Sequence, residues 1–256
     1  MHTNSLQIAP EQGLHAMVGL HALRTAAHAV PLHEQPAEAA EPFTIHAAHS
    51  ERHRLEASRL VHHRYVQRGY RRAHPTGDRE ANLLTLSAID ARGVTLGTLG
   101  VRFEGAQGLN ADAVFESEMA ALRVQGRELC EFTQLAVDMQ TASKPVLAGL
   151  FHAAYLAAYK LHGADLLVIE VNPRHVPYYR RMLDFKVCSE SRTNPRVHAP
   201  AVLMSLELSH AAQQIARYGG HPSLASVVRS LYPHFLSRSR EAALLAQLRD
   251  EHRLAA

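Results

Sequence analysis

A mixed α/β fold, one β-sheet with helices packed on it, is what this 256-residue sequence predicts. Three observations point to it. KPVLAGLFHAAYLAAYKLHGA (144–164) is the strongest helix in the chain, with Pro145 in its first turn and Gly163 past its end, where helix termini favour those residues. ADLLVIEV (164–171) follows directly, a continuous apolar run of the kind a strand buried on both faces requires. NLLTLSAID (82–90) and VTLGTLGVRFEG (94–105), joined by the turn-like Asp90-Ala91-Arg92-Gly93, read as an antiparallel hairpin. Strands and helices interleaved in this way pack as layers around one core.

The remaining elements follow in order. Residues 1–42 are rich in Ala and His with prolines at 31 and 36, the composition of a helix and linker preceding the fold. FTIHAAHS (43–50) is a first strand, and ERHRLEASRLVHHRYVQRGY (51–70) a helix with an imperfect stripe of Leu55, Ala57, Leu60, Val61, Tyr65 and Val66, ended by Gly69. After the hairpin, VFESEMAALRVQG (114–126) is helical and ELCEFTQLAVD (128–138) is a third strong strand. Asn172-Pro173 breaks the central strand, HVPYYRRML (175–183) forms a short helix, and FKVCSESR (185–192) and APAVLMSLEL (199–208) return as strands. The tail over 209–256 is helical in three pieces separated by Gly219-Gly220-His221-Pro222 and by Pro233. Leu224, Val227, Val228, Leu231 and Phe235 give it a packing stripe, with a dimer contact or a cover over a binding channel as the alternatives. The organisation expected is an N-terminal segment 1–42, a main domain 43–208 and a C-terminal extension 209–256.

Composition narrows the function classes. With 46% hydrophobic and 20% charged residues, the chain has material for one large domain with an appendage. Two cysteines, Cys130 and Cys188, are too few for a disulfide framework, which suits a reducing cytosol. The N-terminus lacks a signal-peptide pattern and no run approaches the ~18 to 20 apolar residues of a membrane span, so a cytoplasmic protein without stable membrane insertion is expected. The net charge is only +3, but the sequence pI is near 9.0 and arginines cluster in RYVQRGYRR (64–72) and YYRR (178–181). Such clusters suit an acidic partner or a solvated helix face. There is no helix-turn-helix or zinc-finger spacing and no tryptophan, which argues against nucleic acid. Nineteen histidines include no His-Glu-x-x-His, and His62-His63 are adjacent, so no metal site is expected.

The residue that stands out is Glu131, a carboxylate in a strand. Period-two alternation puts Glu131, Thr133, Leu135 and Val137 on one face and Cys130, Phe132, Gln134, Ala136 and Asp138 on the other. That pattern fits a strand running from solvent into core, with Glu131 at its wet end. It also fits a carboxylate placed for proton transfer, best suited if partial burial raises its pKa.

The order strand, long helix, strand, then NPRHVPYYRRMLDF (172–185), resembles the second half of the GCN5-related N-acetyltransferase fold, where a short helix carrying Tyr ends in a Gly-Phe pair. Tyr179 and Phe185 match; Asp184 stands where glycine is usual, and the helix is one residue longer. The resemblance implies a mixed, mostly antiparallel sheet flanked by helices, here with a helical C-terminal extension. It implies Tyr179 as the acid that protonates a departing thiolate. On the residue alone, Tyr179 reads first as a core tyrosine whose hydroxyl bonds main chain. The glycine-rich pyrophosphate loop usual in that fold is replaced by Met139-Gln140-Thr141-Ala142-Ser143-Lys144-Pro145, where Ser143 and the first helical turn could hold one phosphate.

VNPRHVPYYRRMLDF (171–185) and NPRVHAPAVLMSLEL (194–208) resemble the long-chain N-acyl amino acid synthases, sharply over 128–138 and 171–208 and as an architecture over 43–208. The resemblance implies transfer of an acyl group from the phosphopantetheine of acyl carrier protein, or from acyl-CoA, to the α-amine of an amino acid, with no permanently bound cofactor. The related acyl-homoserine lactone synthases carry Glu-x-Ser/Thr-Arg, an apolar pair and Val-Asp. Glu131, Thr133, Val137 and Asp138 match that pattern, with Gln134 in place of the arginine. By this resemblance Glu131 is the base for the attacking amine. Thr133, Gln134, Leu135, Val137, Ser143, Asn172, Arg174, His175 and Arg196 bind donor or substrate, and an N–H near 135–138 serves the oxyanion. A substrate carboxylate calls for Arg54, Arg64, Arg174 or Arg196. An acidic carrier calls for Arg68, Arg71, Arg72, Arg180 and Arg181, each with a solvated face as the alternative. The lactone synthases bind S-adenosylmethionine through a set that includes tryptophan, which this chain lacks, so the amino acid synthase fits better. The other classes open to the sequence are a lactone-synthase-like, exosortase-associated or acyl-CoA-dependent acyltransferase and a non-catalytic acyl-carrier or lipid-binding module.

Overall fold

The computed structural model describes residues 42–70, 77–80, 82–138 and 144–255. The N-terminal helix and linker expected over 1–42 thus fall, but for residue 42, outside the described residues.

The hairpin forms as expected: β2 (Leu83–Asp90) and β3 (Thr95–Phe103) pair antiparallel, with Leu86 opposite Leu99. Its turn is closed by the Asp90 carboxylate, which accepts from the main-chain N–H groups of Arg92 and Val94 at 2.9 and 2.8 Å. Gly93 takes φ +81°, a region that costs glycine nothing for want of a Cβ. β1 (Phe43–Ala47) pairs antiparallel with β2, and β4 (Leu129–Val137) with the other edge of β3. β5 (Leu166–Val171) lies parallel to β4, a pairing that needs a crossover, supplied by α3 (Lys144–Tyr155). The expected strand 185–192 is interrupted. β6 (Lys186–Val187) and β7 (Arg192–Asn194) each pair with the long β8 (Ala199–Glu207), and between them the Ser189 hydroxyl accepts the Leu203 N–H at 2.9 Å in place of a ladder bond. The sheet order is β1-β2-β3-β4-β5-β8-β6, with β7 also on β8, and every described pair except β4/β5 is antiparallel.

Helix α1 (Glu51–Gln67) is started by Ser50, whose hydroxyl accepts the His53 N–H at 3.2 Å. It buries only Ala57 and Val61, while Val66 is 53% exposed, so the stripe is narrower than the sequence suggested. α2 (Asp112–Val124) starts two residues before the expected 114 and is kinked at Phe115.

α3 is buried on every side from Ala148 to Tyr155. An all-round apolar helix needs cover on both flanks. The sheet is one: a Cβ added to Gly97 would lie 2.9 Å from Leu150, and one added to Gly149 2.9 Å from Ile45, so these glycines set the distance of approach. After Tyr155 the helix widens into π turns over Leu156–Leu161 instead of continuing as α to 164, which keeps Leu156, Ala157 and Ala158 buried and stacks Tyr155 on Tyr159 at 5.5 Å.

The C-terminal extension is the other cover. It comprises α5 (Leu208–Tyr218), α6 (Ala225–Val228) and α7 (Arg238–Ala255). The stripe expected through Leu224, Val227 and Val228 does not exist as a helix face. α6 stops at Arg229, which adopts φ +54°, leaving Val227 78% exposed, whereas Leu231, Tyr232 and Phe235 turn into the main core. Phe235 stacks on buried His152 of α3 at 5.2 Å, and the Leu236 N–H donates to His152 Nδ1 at 2.9 Å. The imidazole Nε2 lies 3.2 Å from the Glu241 carboxylate of α7. A smaller second core on the opposite side of the sheet joins Leu109, Ala111, Phe115 and Met119 to Leu129, Leu166, Val168 and Leu203. No helix among the described residues is long and apolar enough to cross a membrane.

Candidate active site

The sheet opens between β4 and β5. Their parallel pairing runs Leu129↔Leu166, Cys130↔Leu167 and Glu131↔Val168 and ends there, while β4 continues along β3 to Val137 and β5 along β8 to Val171. Past Glu131 the two strands part, and the main-chain groups on their facing edges are freed from each other. Clefts at the C-terminal ends of parallel strands are where open α/β sheets bind ligands.

A bulge in β4 re-aims its side chains. Gly100 faces Thr133 and Thr98 faces Ala136, so Gln134 and Leu135 together oppose Leu99, and Gln134 takes φ +54°. The extra residue inverts the alternation. The single face expected for 131, 133, 135 and 137 is therefore corrected: Leu135 and Val137 pack on the α3-side core with Cys130 and Phe132, whereas Glu131 and Thr133 remain on the α2 side. The Gln134 amide donates to Glu80 at 3.4 Å. Since a left-handed backbone penalises a residue with a Cβ, Gln134→Gly should raise stability by about 1 kcal/mol in urea unfolding. A net loss would show that the amide contact outweighs the backbone.

Glu131 is 1% exposed, more buried than Thr133 further along the strand. The strand runs from core outward, opposite to the surface-glutamate alternative. Its carboxylate accepts the N–H of Ala111, just before α2, at 3.3 Å, a position where the helix N-terminus favours a negative charge. Burial foremost, and then the charge of Glu170, push its pKa up to about 7, with Arg196 opposing. Glu170, on β5 and two residues beyond Val168, shares that face by alternation. It accepts the Asn194 amide at 2.5 Å and forms an ion pair with Arg196, and burial raises its pKa against both partners. Asn194 also accepts the Arg196 N–H at 2.8 Å, so β7 fixes the arginine. Glu170 is absent from the residues singled out in the sequence. Its one signal there is a charge breaking the apolar run LLVIEV.

Tyr179 lies on the other side of the sheet. A turn over Pro173–His175, capped by Asn172 accepting the Arg174 N–H at 3.2 Å, leads into α4 (Val176–Leu183). The half-buried Tyr179 ring packs edge-on against Phe151 at 6.4 Å and Phe185 at 5.7 Å, and Phe151 in turn meets Phe132 of β4 at 6.3 Å. An aromatic chain thus links the residue beside Glu131 to Tyr179. Burial raises the Tyr179 pKa well above that of an ordinary phenol, so the hydroxyl stays protonated. α4 ends on Asp184 at φ +62°, the conformation for which glycine is usual, and its carboxylate meets His210 at 3.1 Å.

The arginines sort by what holds them. Arg54 donates to the carbonyls of Gly77 at 2.7 Å and His49 at 2.5 Å, and Arg64 pairs with Asp138, so both serve the scaffold. Exposed Arg174 donates to His175 at 3.2 Å and to the Tyr70 hydroxyl at 3.3 Å; burial and the Arg174 and Arg68 charges lower the His175 pKa. Arg196 is the one of the four beside Glu131 and Glu170. Arg68, Arg180 and Arg181 are exposed; Arg71, Arg72 and Ser143, with the rest of 139–143, lie outside the described residues. Cys130 and Cys188 are free thiols. Among the described residues no group of three or more His, Cys, Asp or Glu side chains is placed to hold a metal ion.

The sequence model of the N-acyl amino acid synthase FeeM family matches residues 56–207. Among solved structures, FeeM, an N-acyl amino acid synthase from uncultured soil microbes, is 26% identical with a TM-score of 0.58, over 65% of this chain and 91% of that one. The CoA-dependent acyl-homoserine lactone synthase BjaI, solved with SAM and isopentyl-CoA, is 12% identical with a TM-score of 0.50, over 73% and 90% of the two chains, a likeness of fold alone. No curated protein matches at the sequence level. The fold is the GCN5-related N-acetyltransferase-like one expected from the sequence.

Proposed function

Because the chain belongs to the N-acyl amino acid synthase FeeM family, we propose that it transfers a long-chain acyl group from the phosphopantetheine thioester of an acyl carrier protein to the α-amine of an amino acid. What supports this is that buried Glu131, with its pKa raised to about 7, and protonated Tyr179 lie on opposite faces of a sheet whose strands β4 and β5 part past Glu131.

The acyl-pantetheine arm lies in the gap, its amides bonded to the freed edges of β4 and β5 as an added strand would be. The amino acid arrives as an ammonium, which cannot attack until it loses a proton; Glu131, directly or through water, accepts it. The amine then attacks the thioester carbon, and the negative charge on oxygen is met by main-chain N–H groups of β4 beyond the bulge. As the intermediate collapses, the C–S bond breaks, the departing sulfur takes the Tyr179 proton, and the nitrogen sheds its second proton. The products are an amide and a free carrier thiol, with one proton released to solvent as Tyr179 is reprotonated. Glu131 and Tyr179 flank the reacting carbon, which keeps the incoming nitrogen and outgoing sulfur apart. Arg196, held by Glu170 and Asn194, is the candidate for the substrate carboxylate. Arg68, whose charge bears on both His175 and Tyr179 and so lies beside α4, offers with Arg180 and Arg181 a basic surface for an acidic carrier.

The test is to incubate the protein with acyl carrier protein bearing a long saturated chain, or the matching acyl-CoA, together with an amino acid mixture, and to look for amides by mass spectrometry. Product from the carrier-bound donor at the lower donor concentration is expected. Product from acyl-CoA alone reassigns the donor, and none from either would leave an acyl-binding module without catalysis.

A further inference from the structure

Glu170 is the one charged residue of LLVIEV, a strand with β4 on one edge and β8 on the other, and its side chain is 8% exposed. A carboxylate in that place costs stability that a valine would not, since a buried ion pair seldom repays the desolvation of its two charges. Packing alone therefore gives no reason for it.

The pair it forms is closed on one side and open on the other. Glu170 Oε2 accepts the amide of Asn194, itself 4% exposed, at 2.5 Å, and Oε1 is bonded to Arg196 Nη2. The Arg196 side chain is 41% exposed, and Glu170 is its one hydrogen-bonded partner among the described residues. A guanidinium carries five N–H donors in a rigid fork, so a tether at one nitrogen leaves an edge that a second carboxylate can take in two parallel bonds. The main chain at Arg196 is fixed as well, its N–H donating to Asn194 Oδ1 at 2.8 Å.

Glu131 stands beside this pair. In the β4/β5 register it faces Val168, two residues before Glu170, and the charges of Glu170 and Arg196 bear on it in opposite directions. The other charged groups of the elements around it are taken up elsewhere. Arg102, across the β3/β4 ladder, pairs with Glu80, while Asp112 and Glu118 of α2 pair with Arg123 and Arg192. His198, on the turn between β7 and β8, is exposed, and the main-chain N–H groups of Asn110 and Ala111 close the remaining side.

We propose that Glu170 is a positioning residue for the acyl acceptor: it holds the Arg196 guanidinium by one edge so that the other edge receives the substrate's α-carboxylate beside Glu131, and it thereby makes the site demand a free carboxylate next to the amine. The inference rests on the amino acid acceptor proposed above. A carboxylate on the open edge neutralises the positive charge that opposes proton uptake by Glu131, so an acceptor that fits the fork also makes Glu131 a stronger base.

The experiment compares the wild type with Glu170→Gln, Arg196→Met and the double variant in the full chain, using an amino acid and its carboxamide, which keeps the amine and lacks the negative charge. Glutamine at 170 removes a buried charge and Arg196 is partly exposed, so the variants should fold, as circular dichroism checks. By calorimetry the wild type should bind the amino acid about tenfold or more tighter than the carboxamide, and Glu170→Gln should remove most of that preference without changing the affinity for the carboxamide. In turnover the same substitution should raise KM for the amino acid with kcat changed much less. On top of Arg196→Met it should add nothing, because it acts through the arginine. No preference in the wild type, an equal loss for both acceptors, or a loss that adds in full to that of Arg196→Met overturns the proposal. A second readout needs no turnover. In a carbon-13 NMR titration of the glutamate carboxyls, with the Glu131 signal identified by its absence from Glu131→Gln, the Glu131 midpoint should lie at lower pH in Glu170→Gln than in the wild type, since a neighbouring negative charge is gone. A midpoint that stays put or rises also overturns it. Binding and titration read the site directly, so a chain that forms no amide from any donor refutes the acyl-transfer reading and leaves these two results to decide the role of Glu170.

Discussion

Glu131→Gln should lower kcat/KM by about 10²- to 10⁴-fold, the range general-base catalysis commands, while the protein stays folded. Glutamine keeps the side-chain oxygen that accepts the Ala111 N–H, so the tie to α2 survives and only the proton acceptor is lost. The pH dependence gives a sharper signature. A base with a pKa raised to about 7 must be ionised to work, so wild-type kcat/KM should climb as pH rises through about 7 and level off above it. The variant's residual rate should lack that limb.

Stability runs the other way. The unfolded carboxyl has the ordinary value of 4.5 and the folded one about 7, so the folded state holds its proton more tightly. The contribution of Glu131 is complete below pH 4.5 and is lost as pH rises through about 7. At pH 8 the variant, with no charge to bury, should be more stable than the wild type by about 2 to 3 kcal/mol, and the gap should close in acid. Chemical denaturation at two pH values measures it. A variant that is active and no more stable at pH 8 would make Glu131 a capping residue for α2 and nothing more.

Tyr179→Phe should cost about a hundredfold in kcat for an alkyl thioester, near the lower end of what a general acid contributes, because a thiolate is already a fair leaving group. Phenylalanine preserves the ring contacts with Phe151 and Phe185, so unfolding curves should coincide with those of the wild type. The discriminating measurement varies the leaving thiol. An aryl thioester, whose thiolate is stable without protonation, should lose much less on the substitution than an alkyl one. An equal loss with both would mean that the hydroxyl orients the donor and transfers no proton.

Much of the fold was legible in the sequence because its signals are local. Pro145 and Gly163 bracket a helix whatever surrounds it, and LLVIEV is a central strand because nothing in it but Glu170 tolerates water. What the sequence misplaced was the stripe 224–235, where residues at helical spacing are divided by Arg229 in a left-handed conformation, so that Val227 faces solvent and Leu231 faces core.

By itself the sequence determined the order of elements, since period-two and period-3.6 patterns are properties of a few neighbouring positions, and its family resemblance singled out Glu131 and Tyr179 as candidates. Only the tertiary structure decided which way Glu131 and Leu135 face, because a bulge is a mismatch between two strands and is written in neither alone. The same holds for the electrostatics. Residues 131, 170 and 196 become neighbours because β5 lies beside β4 and β8 brings β7 back alongside β5, so the charges that bear on Glu131 come from positions about 40 and 65 residues away. In the same way Arg54 and Arg64 were assigned to the scaffold and Arg196 to the site by partners that no local pattern encodes.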